Sequence, residues 1–209
     1  MTIDHALRYA VKIVEWISPY CTVGSAPPHG ASIATAGSIR RDRPECGDVD
    51  IVCIPKLKEE RDMLGAVIHR ENLLFSFIKA HARSGAARIT SGGETEGKQM
   101  IVELKKCQLD LWFADEKNFA SRLLCRTGSK DHNVWIATRC KRMNLKWNTY
   151  EGILSGGTFW PGDSARSDEY VGGKLEQFAT EAEFYARLGL PFIEPKNREL
   201  DYLVKNFGQ

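Results

Sequence analysis

The sequence predicts an α+β fold in two parts, a mixed lobe of strands and helices to about residue 117 and a largely helical lobe after it. Two observations lead to this prediction. In the first part, short apolar segments of strand length alternate with segments of helical periodicity. From Phe119 onward the strand pattern gives way to helical segments separated by Gly and Ser. The chain has 209 residues, which is enough to bury a hydrophobic core.

The first lobe is predicted to begin with an amphipathic helix, because apolar residues recur every three or four positions from Ile3 to Ile17. A proline-rich loop at 26–30 follows it. The charged segment from Glu59 to Arg83 is predicted to be one long helix that ends at Ser84-Gly85. The predicted strands are residues 32–35, 48–54, 88–91, 100–104 and 108–113, with a polar turn at 92–97.

In the second lobe, one helix is predicted near residues 117–125 and another from the break Thr127-Gly128-Ser129 through about Met143. The section from 155 to 167 is rich in Gly, Pro and Ser and is predicted to be a loop. Thr180 and Glu183 have the spacing of a capping box, which predicts a helix over 181–188 followed by a tail.

Composition excludes several classes of protein. No apolar run approaches the ~20 residues that span a bilayer, and the N-terminus lacks the pattern of a secretory signal, so we expect a cytoplasmic or nuclear protein. The six cysteines show no C-x-x-C spacing, and all except Cys46 are interpreted as reduced thiols that lie partly in the core. The five histidines are dispersed, without a zinc pattern.

Charge is concentrated in one stretch of the chain. The net charge is only +2, but residues 117–146 carry eight basic residues and one acidic residue. A solvated helix face could have this composition, although so strong a local bias favours contacts with phosphates.

Three aspartates have a pattern typical of a metal site. Asp48 and Asp50 flank one residue of a predicted strand, so their side chains project from one face about 6–7 Å apart. Asp110 has the same outward position, with Trp112, on a later strand. Carboxylates held this close favour a hard cation such as Mg²⁺ between them. An isolated D-x-D is common, however, and Asp110 alone could be an edge residue or an ion-pair partner.

A phosphate-binding pattern precedes these aspartates. Gly37-Ser38 lets the backbone approach an anion closely, and Arg41 offers a bidentate fork for phosphate oxygens. The alternative is a surface turn with solvated arginines, which would leave the aspartates without a purpose.

The pattern resembles the nucleotidyltransferase superfamily, and specifically the family X DNA polymerases of the polymerase β kind. The first block is Gly37-Ser38-Ile39-Arg40-Arg41, followed by Gly47, Asp48-Val49-Asp50 and Asp110. Two further blocks are similar to the thumb signatures of the family. They are Thr127-Gly128-Ser129 with Asn133, and Leu188-Gly189-Leu190-Pro191-Phe192-Ile193-Glu194-Pro195.

The resemblance implies a fold and a set of roles. It implies a palm over 1–117 with a mixed sheet and helices, followed by a mostly helical thumb over 118–209. Asp48, Asp50 and Asp110 would hold two Mg²⁺ ions, with Mn²⁺ as an alternative. The residues expected to grip the triphosphate are Gly37, Ser38, Arg41, Cys46 and Gly47. Those expected beside the sugar and base are Thr127, Gly128 and Asn133. Those expected to contact DNA are Arg126, Lys130, Arg139, Lys141 and Arg142.

The chain departs from the family pattern in two places. Cys46 stands where the motif has Ser, which weakens one expected hydrogen bond to the triphosphate. Cys125-Arg126 stands where an aromatic pair shapes sugar selection, so preference for deoxynucleotides is an open question. Residues 1–31 are too short for lyase and fingers domains, so we expect a minimal palm-plus-thumb form, as in some viral members.

The resemblance therefore predicts a monomeric DNA-directed DNA polymerase that joins a dNTP to a primer 3′-OH on primer-template or gapped DNA and releases pyrophosphate. Short-gap filling in repair is the expected setting, with no membrane partner. One alternative is a template-independent or RNA-directed nucleotidyltransferase. Another is a non-catalytic DNA-binding module, which would have no need of Asp110.

Overall fold

The structure is a computed structural model that describes residues 1–22, 32–92, 97–160 and 169–208. The predicted loop at 26–30, part of the predicted turn at 92–97 and part of the predicted loop at 155–167 lie outside the described residues. No helix within the described ranges is long and apolar enough to cross a membrane.

The helices and strands are numbered in chain order. The helices are α1 Ile3–Ile17, α2 Gly37–Arg40, α3 Leu73–Arg83, α4 Phe119–Thr127, α5 Lys130–Arg142, α6 Glu181–Arg187 and α7 Leu200–Phe207. The strands are β1 Ile33–Thr35, β2 Val49–Cys53, β3 Leu57–Arg61, β4 Val67–Asn72, β5 Arg88–Ser91, β6 Gln99–Glu103, β7 Gln108–Phe113, β8 Lys146–Asn148, β9 Gly152–Ser155, β10 Thr158–Trp160, β11 Glu169–Val171 and β12 Lys174–Glu176.

The main sheet of the first lobe has five strands in the order β1-β2-β7-β6-β5. β2 and β7 are parallel, whereas the other neighbouring pairs are antiparallel. Alternation along β7 sends Leu109 and Leu111 into a core with α1 and α3, as predicted. On the opposite face, Trp112 packs with Leu123 of α4 in a smaller cluster. The neighbouring part of that face carries the aspartates.

The prediction of one helix from Glu59 to Arg83 is wrong. Only α3 is helical, and β3 and β4 form an exposed antiparallel hairpin before it. The Asp62 side chain makes the turn by accepting hydrogen bonds from the backbone N–H groups of Leu64 and Ala66, each at 2.9 Å. The charged residues that suggested a helix face are partners across the hairpin, since Arg70 Nε lies 3.1 Å from Glu59 Oε1.

The second lobe has its own hydrophobic core, which includes residues of α5, α6 and α7. The predicted signature segment after α6 contributes Leu188, Leu190 and Ile193 to this core. The capping box is present. Thr180 Oγ1 accepts from the Glu183 N–H at 3.0 Å, and Glu183 Oε2 accepts from the Ala179 N–H at 2.9 Å. The short strands β8–β12 and helix α7 were not predicted, because strands of three or four residues carry too little periodicity to detect.

Candidate active site

Asp50 and Asp110 are direct partners across the parallel pair of β2 and β7. Asp48 precedes β2 by one residue, and its charge acts on both of the other aspartates. The topology therefore brings the three carboxylates of the sequence prediction to one region. This proximity results from the register: two strands whose aspartates occupy equivalent positions are hydrogen-bonded neighbours.

The electrostatics of these carboxylates reflect burial and mutual repulsion. Burial and then the charge of Asp48 raise the pKa of Asp50 to about 7, although a hydrogen bond from Trp112 opposes the shift. Burial also raises the pKa of Asp110, against a hydrogen bond from Gln108 Nε2 at 2.9 Å. Burial and nearby negative charge thus both disfavour the ionised forms of Asp50 and Asp110.

Gly37 lies directly against Asp50. Its φ is +56°, and a Cβ at this position would stand 2.0 Å from Asp50 Oδ2. The Ala36 N–H donates to the Asp50 carbonyl oxygen at 2.9 Å, which fixes this approach. Gly37-Ser38 is the first part of the short helix α2 rather than a plain turn, and Ser38 is half-buried beside it.

Arg40, which had no predicted role, connects the two lobes. Its guanidinium forms two hydrogen bonds to the Glu181 carboxylate, at 2.9 and 2.5 Å, and donates to Thr127 Oγ1 at 2.6 Å. Arg198, fully buried, donates to the same carboxylate at 2.7 Å. Burial alone would raise the pKa of Glu181, but the bonds and charges of the two arginines outweigh it and the pKa lies below its ordinary value. The sequence offered no local signal for these partners, since Arg40 and Glu181 are 141 positions apart.

Arg41 contacts the second lobe in the same region. Its Nη1 donates to the Thr127 carbonyl oxygen at 2.7 Å, and its Nε lies 3.2 Å from Glu199 Oε1. Cys46 is buried in the core of the first lobe, with its Sγ 3.7 Å from the Arg43 carbonyl oxygen. That geometry gives no support to the prediction that the Cys46 side chain contacts a triphosphate.

The turn after α4 is tightly packed. A Cβ at Gly128 would stand 2.2 Å from His132 Nδ1 and 2.7 Å from Asn133 Oδ1. Asn133 Nδ2 donates to the Cys125 carbonyl oxygen at 2.8 Å, and Ser129 Oγ caps α5 by accepting from the His132 N–H at 3.1 Å. These bonds hold the Thr127-Gly128 turn in a defined place beside Arg40 and Arg41.

The basic stretch divides into internal and exposed residues. Arg122 is buried and donates to the carbonyl oxygens of Phe113 and Lys98. Arg126 stacks on Trp112, and Arg139 Nε donates to the Leu188 carbonyl oxygen at 2.9 Å. Among the five residues expected to contact DNA, Lys130, Lys141 and Arg142 are exposed to solvent, and Lys117 of the same basic stretch is exposed as well. Of the tryptophans in and near this region, Trp112, Trp135 and Trp147 are buried and Trp160 is 60% exposed.

The aspartates fit a hard divalent cation by chemistry. Their carboxylate oxygens are the ligands that Mg²⁺ and Mn²⁺ prefer. Within the described residues, no three His, Cys, Asp or Glu side chains already enclose a position for an ion. One oxygen of Asp50 accepts a hydrogen bond from Trp112, and one oxygen of Asp110 accepts a hydrogen bond from Gln108. A cation would offset the repulsion that raises the pKa of Asp50.

This arrangement corresponds to a known fold. A sheet with paired aspartates on neighbouring parallel strands, followed by a lobe tied to it through α2, has the architecture of polymerase β. Two structures of Leishmania infantum polymerase β, a ternary P/T complex and a ternary gap complex, match with TM-scores of 0.63 and 0.65 at 18% identity. These matches cover 95% of this chain and 76% and 70% of theirs.

Two sequence comparisons support the same resemblance. The model of the DNA polymerase beta thumb matches residues 122–199. The chain is 27% identical over 207 residues, 99% of its length, to DNA polymerase/3′-5′ exonuclease PolX of Bacillus subtilis (strain 168), and spans 30% of that relative. The resemblance to family X DNA polymerases is therefore confirmed.

Proposed function

We propose that the chain is a DNA-directed DNA polymerase that adds a deoxynucleotide to a primer 3′-OH and releases pyrophosphate, acting in short-gap filling. The observation that carries this proposal is the register of β2 and β7, which sets Asp50 opposite Asp110 with Asp48 close by. A binding module would gain nothing from placing Asp50 and Asp110 where burial and the nearby charge of Asp48 raise the pKa of both carboxyl groups.

Asp48, Asp50 and Asp110 would hold the catalytic ion, and Asp48 and Asp50 the ion that accompanies the nucleotide. Two Mg²⁺ ions, or Mn²⁺ in their place, would stabilise the negative charge on the attacking and leaving oxygens. The contribution of the chain is to position these ligands. Gly37 leaves space for the Asp50 carboxylate, and the β2–β7 register fixes its distance from Asp110.

The triphosphate would lie against Ser38, Arg41 and Gly47, next to the aspartates along the chain. Arg41 is the cation at this position, and its Nη2 has no hydrogen bond among those described for the residue, so one side of the fork can meet a phosphate. The Thr127-Gly128 turn would flank the sugar and Asn133 would approach the base. The bonds of Arg40 and Arg41 to Thr127 support this arrangement, because they hold the turn beside the phosphate-binding segment.

DNA is the proposed partner, as primer-template or gapped duplex. The titles of the two Leishmania structures describe such complexes, and the exposed Lys130, Lys141 and Arg142 supply charge for backbone contacts. Arg126 and Arg139 are less suited to direct DNA contact than the sequence suggested, since both side chains are engaged within the protein. The proposed division is a palm over 1–117 and a thumb over 118–209, in a monomer.

One observation favours the alternative of a template-independent or RNA-directed nucleotidyltransferase. Cys125 is buried and Arg126 stacks on Trp112, so the Cys125-Arg126 pair places no aromatic ring beside the Thr127-Gly128 turn. The contacts that usually select a sugar and a paired base would then have to come from elsewhere.

Primer extension distinguishes these functions. The substrates are a single-nucleotide gap, a recessed template and a bare single strand, each with dNTPs and with NTPs. Templated insertion of dNTPs in the gap supports the polymerase. Extension of the bare strand regardless of template supports the terminal-transferase alternative. No incorporation on any substrate, together with retained DNA binding, would contradict both.

A further inference from the structure

Trp112 contacts a proposed metal ligand, Asp50, with its edge and an arginine, Arg126, with its face. We propose that Trp112 is a positioning residue for Asp50, which orients the carboxylate through its indole N–H and keeps Arg126 from taking the place of the metal ion. This inference rests on the proposed function, because it assigns roles to residues around the same metal site. The Trp112 side chain and the close approach of Gly37 would then decide whether the Asp50 oxygens are available to a metal ion.

Trp112 orients the Asp50 carboxylate through a hydrogen bond. Trp112 Nε1 donates a hydrogen bond to Asp50 Oδ1 at 3.1 Å. On the other side, Asp50 Oδ2 faces Gly37, where a Cβ would stand at 2.0 Å. The indole is 7% exposed and is held by the cluster that includes Leu123, so it cannot rotate freely. The carboxylate is therefore fixed from both sides, as groups that orient metal ligands typically do.

Trp112 also keeps the Arg126 guanidinium apart from the Asp50 carboxylate. The Arg126 guanidinium carbon lies 3.4 Å from the centroid of the Trp112 ring, which places the charge flat against the indole. Arg126 Nη2 also donates to Tyr150 Oη at 2.8 Å, and its guanidinium carbon lies 5.3 Å from the Tyr150 ring centroid. Two aromatic rings and one hydrogen bond thus hold the guanidinium over the face of Trp112, whereas Asp50 bonds to the edge of the same ring.

Keeping Arg126 apart from Asp50 matters for metal binding. An arginine fork forms bidentate pairs with a carboxylate, and such a pair would occupy the oxygens that a metal ion needs. The stack on Trp112 and the hydrogen bond to Tyr150 instead hold the guanidinium over the ring face, which leaves the lone pairs of Asp50 available to a metal ion.

The inference predicts an ordered series of Mn²⁺ affinities, measured by electron paramagnetic resonance of free Mn²⁺ with no nucleotide or DNA present. Trp112→Phe keeps the stack and loses the N–H donor, and should bind Mn²⁺ on the order of 10-fold more weakly than the unmodified chain. Trp112→Ala also removes the ring on which Arg126 stacks, and should bind Mn²⁺ more weakly still. Adding Arg126→Met to Trp112→Ala should restore part of the affinity, because the competing cation is gone.

The single variant Arg126→Met keeps the test valid if the tryptophan variants fold poorly. Methionine can still pack on the indole, so this variant should bind Mn²⁺ at least as well as the unmodified chain. In primer extension, Trp112→Phe should raise the Mg²⁺ concentration for half-maximal rate more than it lowers kcat at saturating Mg²⁺. A purely structural role for Trp112 would predict no recovery on removing Arg126.

The controls separate this inference from the proposed function. Asp110→Ala should bind Mn²⁺ poorly in the same assay. If the unmodified chain binds Mn²⁺ and Asp110→Ala does not, equal affinity of Trp112→Phe and Trp112→Ala with the unmodified chain would overturn the role of Trp112 alone. A loss of affinity in Arg126→Met would also overturn it. If the unmodified chain binds no Mn²⁺, the metal site fails and this inference fails with it.

Discussion

Gly37 and Asp50 fit together so closely that residue 37 can carry no side chain while Asp50 keeps its position. The two lie on different elements, α2 and β2, and the space between them is filled by a carboxylate oxygen 2.0 Å from where a Cβ would be. The first glycine of the proposed phosphate-binding block thus also helps to place a proposed metal ligand.

Gly37→Ala should therefore lower polymerase activity by at least about 100-fold, because the new methyl group displaces Asp50 by a distance that matters for catalysis. The positive φ adds a cost of about 1–2 kcal/mol in the free energy of unfolding. Gly85→Ala is the matched control, since Gly85 has φ +77° and no atom within 4 Å of its Cβ position. It should show the stability cost without the loss of activity. Equal activity of the two variants in primer extension would contradict the prediction.

Glu181→Gln should destabilise the protein by about 3–5 kcal/mol, because it leaves the charges of Arg40 and Arg198 buried with no carboxylate between them. Chemical unfolding measured by circular dichroism gives this value. Glu103→Gln is the control, because the pair of Glu103 with Arg88 is exposed and should contribute less than about 1 kcal/mol. Similar losses for both variants would show that the buried carboxylate has no special role.

His132 should make stability depend on pH between about 6.5 and 4. Burial, and then the charge of Arg198, lower its pKa from 6.5 to about 4 in the folded state. Between these values the unfolded chain binds more protons, so stability is full above pH 6.5 and falls as pH decreases, by about 3 kcal/mol in total. His132→Gln should flatten this part of the profile of unfolding free energy against pH. An unchanged slope in that variant would assign the effect to other groups.

DNA affinity should depend steeply on salt through the exposed basic residues. Lys130→Ala and Arg142→Ala should each reduce the slope of log K against log salt by up to about 0.9, the value for one phosphate contact. Arg139→Ala should change the slope little and lower the melting temperature instead, since Arg139 is bonded to the Leu188 carbonyl oxygen. Fluorescence anisotropy on gapped duplex at several salt concentrations measures the slopes. A flat salt dependence of the unmodified chain would contradict the proposed interface.

The local parts of the fold could be predicted from the sequence. The predicted bounds of α1 and β7 agree with the structure, because both have a clear period of apolar residues. The alternation in β7 also predicted that Asp110 lies on the face away from the core. The sequence does not show the strand order. The prediction that Asp50 and Asp110 lie together therefore depended on β2 and β7 being neighbours, and the register of the two strands shows that they are.

The missed features depend on partners far apart in sequence. In the sequence, Glu181 and Arg198 have no feature that distinguishes them from other charged residues. The fold brings the Glu181 carboxylate into hydrogen bonds with both Arg40 and Arg198. The hairpin of β3 and β4 was taken for a helix because its charges pair across strands, as Glu59 and Arg70 do, and spacing along the chain does not show this. Arg126 was assigned to DNA from charge alone, whereas its position on Trp112 is a tertiary contact.

The central claim is that the three aspartates form the catalytic centre of a DNA polymerase. Its most direct test is the rate of templated insertion of one dNTP into a single-nucleotide gap by the unmodified chain and by Asp110→Asn. Asp201→Asn, which changes an exposed carboxylate on α7, is the control. We predict insertion by the unmodified chain and the control, and a loss of at least about 1,000-fold in Asp110→Asn. Insertion by a folded Asp110→Asn at the unmodified rate would contradict the claim.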